Sequence, residues 1–312
     1  MQSKHVVALA LVAVTFGSAF LFIRVLVDAG MGPFGVSAAR TGVGLVVLSP
    51  LMYWKRHTFP RDKRVVVAIG AIGILNFALP FTFFPLAEQR VSSGTAAIMN
   101  ASMPMITAVL AAVLISDERF SPARVARLAL GFLGVMALMG GDVGADNATD
   151  TIVGILFLLG AVLGYSISGV FIRKWHKPVS ALPLTYIQLV TASAVTIPLA
   201  LGTDAYSGVT MGAEEWGSLV ALTVSGTALA VLLYMWLVVE LGPVRASVVT
   251  YLMPPIGVFL GWLLLDEPVG WTLVVSLVLI VIGVALVQAS AALKRLLPAA
   301  LRRRETEREP GD

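Results

Sequence analysis

Residues 91–118 read VSSGTAAIMNASMPMITAVLAAVLISDE, an apolar run with polar residues at both ends. The hydrocarbon core of a bilayer is about 30 Å thick, and an α-helix needs roughly 20 apolar residues to cross it. The run from Val91 to Ile115 therefore predicts a transmembrane helix. Residues 244–267 read VRASVVTYLMPPIGVFLGWLLLDE. Both stretches hold a Met-Pro pair within the run and an Asp-Glu pair directly after it, about 150 residues apart, which indicates an internal duplication.

The duplication extends over most of the chain. Each copy holds five apolar runs, and five crossings are an odd number, so the second copy must enter the membrane from the opposite face. Inverted repeats of this kind are typical of secondary transporters, in which two related packings open a central site to alternate sides. Further matches at an offset of 149 or 150 residues are Phe-Ile-Arg at 22–24 and 171–173, Pro at 33 and 183, and Gly-Val at 134–135 and 283–284.

The composition agrees with a membrane protein. Hydrophobic residues make up 58% of the 312 residues and charged residues 13%, whereas a soluble domain needs roughly a quarter of its residues charged. The mean hydropathy is +0.90. The sequence predicts an all-α integral membrane protein with ten transmembrane helices as two inverted five-helix repeats, at residues 6–141 and 152–290, and a charged, disordered cytoplasmic tail at 291–312.

The ten predicted helices have boundaries good to a few residues, and the fifth, which is the shortest, is expected to begin as early as Pro122. They are Val6–Ile23, Phe34–Tyr53, Val65–Leu86, Val91–Ile115, Val125–Gly140, Ile152–Ile172, Ala181–Leu201, Trp216–Val239, Val244–Leu265 and Val269–Ala289.

The basic residues between the runs predict the orientation. With a cytoplasmic N-terminus, 19 of the 22 Lys and Arg residues lie on cytoplasmic segments and two, Arg24 and Arg90, lie outside. Because cytoplasmic loops carry the excess of cations, both termini are expected inside a plasma membrane of the bacterial inner-membrane type. The same distribution explains the formal net charge of +4 without a nucleic-acid partner.

Residue usage argues against enzymes that work inside membranes. The chain has no cysteine, its three histidines lie outside the runs, and no run holds paired carboxylates. Zinc hydrolysis needs His or carboxylate ligands, and ATP-driven pumping needs a Gly-rich loop that ends in Gly-Lys-Ser/Thr, which the chain lacks. We therefore expect no enzyme, cofactor or metal. An intramembrane enzyme and a lipid or sugar flippase of the same architecture are the alternatives to a metabolite transporter.

The expected partners are a small-molecule substrate and the lipid bilayer. The oligomeric state is left open, with a homodimer as one option.

The quoted residues also resemble a known family. The stretch from Glu88 to Pro104, continued by residues 117–119, is similar to the first-repeat hallmark of EamA-type transporters in the drug/metabolite transporter superfamily. The resemblance spans Val6 to Ala289, and it implies ten helices, cytoplasmic termini, and export or exchange of small metabolites such as amino acids. Further matching residues are 17–18, 40, 246–247, 254 and 266–268.

Arg40 is the strongest candidate for a functional residue. A charge at the centre of a membrane helix costs roughly 2.5–3.5 kcal/mol on insertion scales, and Arg40 lies about 10 Å into its run at 1.5 Å per residue. It is either an anchor for a carboxylate substrate or a gating partner. The alternatives are a structural donor to carbonyls of a neighbouring helix, or a side chain that snorkels to the membrane surface. The corresponding part of the seventh run offers the uncharged Gln188, so an asymmetric pocket is expected.

Other polar and aromatic residues within the runs are candidates to line a substrate route, although Trp and Tyr are also common anchors at the membrane surface. Asn100 is expected either to bind substrate or to satisfy backbone freed by Pro104. The candidate substrate-binding residues are Arg40, Asn76, Asn100, Tyr165, Gln188, Tyr234, Trp236 and Tyr251.

Prolines and acidic residues supply the remaining candidates. Pro104, Pro254 and Pro255 are predicted hinges, because proline leaves the carbonyl four residues back without its donor; static kinks are the alternative. Glu88 is a candidate for proton coupling. It and the Asp-Glu pairs at 117–118 and 266–267 lie outside the runs, where solvated caps or ion pairs are the expected role. Ser92 and Ser93 are expected to cap the fourth helix, and Gly131 and Gly134 to permit close helix packing.

Overall fold

The computed structural model describes residues 3–54, 59–114, 122–142, 148–174, 180–241 and 249–296, which form helices and short connections. Two π-helical segments, Ile74–Ala78 and Ala221–Leu229, join α4 to α5 and α11 to α12. The α-helices are α1 (Ser3–Gly17), α2 (Ala19–Asp28), α3 (Pro33–Trp54), α4 (Lys63–Gly73), α5 (Leu79–Glu88), α6 (Ser93–Ala101), α7 (Met103–Leu114), α8 (Pro122–Asp142), α9 (Ala148–Lys174), α10 (Ala181–Gly202), α11 (Ala213–Val220), α12 (Ala230–Leu241), α13 (Val249–Leu265) and α14 (Trp271–Leu296).

The described helices are long and apolar enough for a multi-pass membrane protein. Large apolar side chains face outward along them: Val46 and Val67 are each 71% exposed, and exposed apolar surface on this scale needs lipid rather than water around it. Seven segments could each cross a bilayer, namely Ser3–Asp28, Pro33–Trp54, Lys63–Glu88, Ser93–Leu114, Thr149–Ile172, Leu182–Gly202 and Ala213–Tyr234. Three shorter apolar stretches are Ala129–Leu138, Leu252–Leu265 and Trp271–Gly283.

Several predicted boundaries can be compared with the described helices. The fifth predicted helix does begin at Pro122, as α8. The last helix, α14, continues to Leu296, six residues into the predicted tail. The rest of that tail, residues 297–312, lies outside the described residues. The Asp-Glu pair at 117–118 lies outside them too.

The proline positions in the two copies differ in structure. The fourth run is broken at Ser102, where the Ser102 N–H and Oγ both donate to the Met99 carbonyl, at 3.0 and 2.7 Å. The following helix, α7, places Pro104 in its first turn, where proline costs no intrahelical hydrogen bond. By contrast, α13 runs without a break through Pro254 and Pro255.

Contacts between helix ends define two ends of the helical bundle. We call one the Glu267 end, because Glu267 lies there beside Ser93, and the other the Val249 end, after the first residue of α13. Val249 packs in one cluster with Leu9 of α1 and Leu237 of α12. Hydrogen bonds and an ion pair join the helices at the Glu267 end: Glu267 with Ser93, Arg24 with Glu88, Gly32 with Ala205, and Arg90 with Asp150.

Helix packing brings the two copies together. The most extensive helix interfaces are those between α8 and α14 and between α3 and α10. In addition, α9 packs against α5 and α7, and α13 packs against α1 and α6. Small residues permit the closest approaches. A Cβ on Gly134 would lie 2.7 Å from Ile280 Cγ1, and one on Gly73 would lie 2.6 Å from Gln188 Cα. The prediction of close packing at Gly134 is therefore confirmed.

Candidate functional site

A cavity of about 310 Å³ lies within the bundle and is lined by residues of both copies. Its wall is mainly apolar, with the aromatic rings of Phe16, Phe20, Phe77, Phe81 and Phe84 on the side of the first copy. A concave, mostly apolar site with a few polar groups is the usual form of a small-molecule site, and such sites occupy about 300–1,000 Å³. The cavity therefore suits a compact ligand.

The cavity lining extends from the middle of the bundle to the Val249 end. Ile172 lies near the end of α9, Leu184 lies in the first turn of α10, and Val249 begins α13, and all three line the cavity. Toward the Glu267 end the bundle is packed instead. Phe20 and Phe84 of the first copy meet there with ring centroids 5.4 Å apart, and α6 of the first copy packs against α13 of the second. The cavity is thus oriented toward one end of the bundle.

The structure brings together six of the eight candidate substrate-binding residues. These residues come from distant parts of the sequence and line the same cavity: Arg40, Asn76, Asn100, Tyr165, Gln188 and Tyr234.

The other predicted residues lie elsewhere. Trp236 is not among the described residues that line the cavity; its ring lies at the Val249 end, with Lys4 Nζ 5.9 Å and the His5 ring 5.6 Å from its centroid. This position beside a terminal cation fits the surface anchor that was its alternative role. The side chain of Tyr251 lies outside what the structure describes. The three prolines do not line the cavity, although Met103 and Met253, which precede Pro104 and Pro254, do.

Arg40 is buried in the cavity wall, with 6% of its surface exposed. Its Nε donates to Thr227 Oγ1 over 3.4 Å, and its guanidinium carbon lies 3.6 Å from the centroid of the Phe81 ring. Within the described part of the chain this is its one hydrogen bond, so both terminal nitrogens of the guanidinium are without an acceptor among those residues. Stacking on the ring stabilises the cation, and the two free N–H-bearing nitrogens match the two oxygens of a carboxylate.

Two neutral amides complete the polar part of the wall. Asn76 Nδ2 donates to Gln188 Oε1 over 2.9 Å. Gln188 Nε2 and Asn100 Oδ1 are buried and have no hydrogen-bond partner among the described residues. An unsatisfied buried polar group costs about 1–3 kcal/mol, so both atoms gain from a ligand that supplies the missing partners.

The two π-helical segments both border the cavity. Asn76 and Phe77 belong to the first segment, and Gly226 and Thr227 belong to the second. Isolated π-helical turns in membrane and soluble helices often mark functional sites, because the wider turn alters the direction of side chains. These segments, with Thr227 and Phe81, were not predicted from the sequence; a threonine or a phenylalanine in an apolar run carries no signal that separates it from core packing.

The expectation that Glu88 is solvated is wrong. Glu88 is the last residue of α5 and has no exposed surface, and neither carboxylate oxygen has a hydrogen-bond partner among the described residues. The reason is that α2 packs over the end of α5, and Arg24 Nη1 donates to the Glu88 carbonyl oxygen over 2.6 Å rather than to its carboxylate.

Glu267 is a cap, but it caps a helix of the other copy. Its Oε1 accepts from the Ser93 N–H at 2.7 Å, and its Oε2 accepts from Ser93 Oγ at 2.9 Å and from the Gly94 N–H at 3.1 Å. A carboxylate at a helix N-terminus satisfies free N–H groups and interacts favourably with the helix dipole. Ser92 caps the same helix, as predicted, because its Oγ accepts from the Thr95 N–H at 3.1 Å.

These features define the class of protein: a multi-pass membrane protein with an internal, mostly apolar cavity that holds a buried arginine. A model of the EamA-like transporter family matches residues 3–140 and 152–289. The chain therefore belongs to the EamA-like transporter family.

Similar proteins carry transporter names. The chain is 29% identical over 275 residues to a probable terminal-alkyne amino-acid exporter of Streptantibioticus cattleyicolor, covering 85% of this chain and 86% of that one. It is 22% identical over 284 residues to an uncharacterized transporter of Archaeoglobus fulgidus, covering 91% and 98%. It is 24% identical over 293 residues to the uncharacterized inner membrane transporter YedA of Escherichia coli, covering 94% and 92%.

The fold also resembles a solved structure. A crystal structure of another protein, 20% identical in sequence, superposes with a TM-score of 0.63 and covers 96% of this chain and 100% of its own. At this level of identity the likeness concerns the fold alone.

Proposed function

We propose that the chain is a secondary transporter that exports small metabolites, amino acids or related compounds, across the plasma membrane by alternating access. The observation that carries the proposal is the cavity, which residues of both copies line around the buried Arg40. The relative named as a probable amino-acid exporter supports the class of substrate.

Alternating access requires two halves that can exchange packings, and the helix contacts support a ten-helix inverted duplication. In the two copies α1 is equivalent to α9, α3 to α10, α5 to α12, α7 to α13 and α8 to α14. If each helix is exchanged for its equivalent, the contacting pairs α3–α10 and α8–α14 map onto themselves. The pair α1–α13 then becomes α9–α7, and the pair α1–α12 becomes α9–α5. All of these pairs are in contact, and the two π-helical segments fall in equivalent helices.

The direction of the equivalent helices also supports the inversion. α1 begins at the Val249 end, where His5 Nε2 lies 3.5 Å from Glu240 Oε2. Its equivalent α9 begins at the Glu267 end, where Asp150 lies 3.8 Å from Arg90. Taken with the excess of cations on one side, this supports a cytoplasmic Val249 end, an external Glu267 end and two cytoplasmic termini.

In the proposed cycle the described conformation faces the cytoplasm. The cavity lining reaches the Val249 end, while the Glu267 carboxylate holds the start of α6 at the other end. Release of the α6 N-terminus would open the outer side, with the break at Ser102 and Pro104 as the bending point in that helix. Pro254 and Pro255 serve the equivalent movement in α13.

We assign proton coupling to Glu88. Burial without a partner penalises a charged carboxylate by several kcal/mol, so a change of exposure at this residue would be accompanied by proton uptake or release. The charged groups that act on it are Arg24 and Asp28 from α2, Arg40 from α3 and Glu267 after α13.

Counterflow in proteoliposomes tests the proposal. Vesicles loaded with an unlabelled solute should take up the labelled solute transiently, for at least one member of a panel of amino acids and their derivatives, whereas protein-free vesicles should not. If no member of the panel is carried, the transport proposal fails.

The inversion has a separate test. The chain has no native cysteine, so single cysteines at Ala29 and Ser180 can be labelled from either side of the membrane. The proposed topology requires them to react from opposite sides, and reaction from the same side would rule the inversion out.

A further inference from the structure

The charge of the cavity restricts what it can hold. Among the described residues that line it, Arg40 is the one with a formal charge. Its two terminal nitrogens have no acceptor among the described residues, and no described lining residue is a carboxylate. Glu88, outside the lining, acts on Arg40 through its charge, but it accepts no hydrogen bond from the guanidinium. A buried charge needs a partner in the low-dielectric interior. An occupant that supplies acceptor oxygens to the two terminal nitrogens therefore suits the cavity, and a carboxylate fits the planar guanidinium best.

A free amino group would find no equivalent partner. An ammonium in this cavity meets neutral acceptors and aromatic rings, and the Phe81 ring is already occupied by Arg40. Transfer of an ammonium from water without a counter-ion is strongly unfavourable. The carboxylate of a zwitterionic amino acid therefore contributes favourable binding free energy at Arg40, while its ammonium contributes an unfavourable term. A compound that lacks the ammonium avoids the unfavourable term.

The two unpartnered amide atoms show which neutral group fits instead. Asn100 Oδ1 lacks a donor, and Gln188 Nε2 lacks an acceptor. A secondary amide supplies one N–H donor and one carbonyl acceptor, so it satisfies both atoms. Phe20, Phe77 and Phe84 leave an apolar region for a side chain of matching character.

We propose that the substrate is an N-acylated apolar amino acid: a monoanionic carboxylate with a secondary amide and an aromatic or large aliphatic side chain. Arg40 binds the carboxylate, Asn100 and Gln188 bind the amide, and the phenylalanines bind the side chain. This proposal rests on the proposed transport function and narrows its substrate class.

Four probes that share a phenyl ring test it: N-acetyl-L-phenylalanine, 3-phenylpropionate, L-phenylalanine and 2-phenylethylamine. Binding to the purified full chain in detergent is measured by titration calorimetry, and counterflow is measured in proteoliposomes. We expect N-acetyl-L-phenylalanine to bind at least tenfold more tightly than L-phenylalanine, 3-phenylpropionate to lie between them, and 2-phenylethylamine to show no binding.

Two variants test the assigned contacts. Arg40→Gln should weaken N-acetyl-L-phenylalanine binding at least tenfold and remove the preference over L-phenylalanine. Arg64→Gln, the same change at an exposed residue of α4 away from the cavity, should bind as the unaltered chain does. Asn100→Asp adds a carboxylate with nearly the shape of the amide, so it should reverse the order and favour L-phenylalanine.

The outcomes separate the two proposals. Equal or tighter binding of L-phenylalanine by the unaltered chain overturns the substrate class. It leaves the transport proposal standing, because counterflow tests transport separately from binding. Failure of all four probes to bind also overturns it. The order of the four probes is measured on the unaltered chain, so it decides the question even if a variant does not fold.

Discussion

The proposed cycle predicts that replacement of Glu267 by glutamine releases the Glu267 end, which the proposal assigns to the outside of the membrane. Glu267 accepts three hydrogen bonds from Ser93 and Gly94 at the start of α6. Glutamine keeps one acceptor oxygen but turns the other position into a donor that faces the Gly94 N–H. The loss is therefore one hydrogen bond to a charged group, about 1.5–3 kcal/mol, together with a charge at a helix N-terminus, about 0.3–1 kcal/mol.

The loss amounts to about 2–4 kcal/mol in the described conformation. If the outward-facing conformation lacks these bonds, its population relative to the inward-facing one rises by roughly 30- to 700-fold, because each 1.4 kcal/mol is a factor of ten. Other contacts at this end remain, among them the hydrogen bond from Arg24 to the Glu88 carbonyl and the contact between Phe20 and Phe84. We therefore expect at least a tenfold change in the measured opening.

Opening can be measured with a single cysteine. The chain has no native cysteine, and Ile23 lines the cavity with 1% of its surface exposed. In an Ile23→Cys background, a membrane-impermeant maleimide added at the outer face should react at least tenfold faster when Glu267 is replaced by glutamine. Glu214→Gln, at an exposed glutamate of α11, is the matched control and should leave the rate unchanged. Equal rates in a folded Glu267→Gln chain and in the control would refute the assigned role of Glu267.

Three further predictions concern the cavity and its surroundings. Arg40→Ala should abolish flux while the chain still inserts into the membrane, as checked by counterflow beside quantitative immunoblotting of membranes; normal flux would remove Arg40 from the site. Gly73→Ala should lower the unfolding temperature in detergent, because the added Cβ would lie 2.6 Å from both Cα and the carbonyl oxygen of Gln188. The control Gly169→Ala, which has open space around it, should lower the unfolding temperature far less. Glu88→Gln should leave flux insensitive to a pH gradient across the proteoliposome membrane, and a gradient response equal to that of the unaltered chain would contradict the coupling role.

The sequence predicted the helical fold well because lipid leaves few alternatives for an apolar run. The start of α8 at Pro122, the cap at Ser92 and the close contact at Gly134 follow from local residue chemistry, and the structure confirms them. Six candidate site residues also share the cavity, because a polar group within an apolar run must face protein or a cavity. Trp236 shows the limit of that reasoning, since a tryptophan near a helix end is equally stable at the membrane surface.

What the sequence did not predict depends on contacts between distant helices. Glu88 lies outside an apolar run, and its burial follows from the packing of α2 over the end of α5. Glu267 was expected to cap or pair, but its partners in α6 are more than 170 residues away. The π-helical segments border the cavity, and the polar residues and the glycine within them do not by themselves distinguish a π-helical turn from an α-helical one.

The proposed mechanism depends on similarity between the copies in packing and on a difference between them in the cavity. An exact duplication would place a second arginine in the part of α10 that holds Gln188, and two cations in one low-dielectric cavity would repel each other. The chain has an amide there instead, hydrogen-bonded to Asn76. In the proposed mechanism similar packing would give each half the same two arrangements, while the single charge of Arg40 would give a bound anion one orientation. The symmetric contacts would then exchange the open side without changing which group holds the substrate.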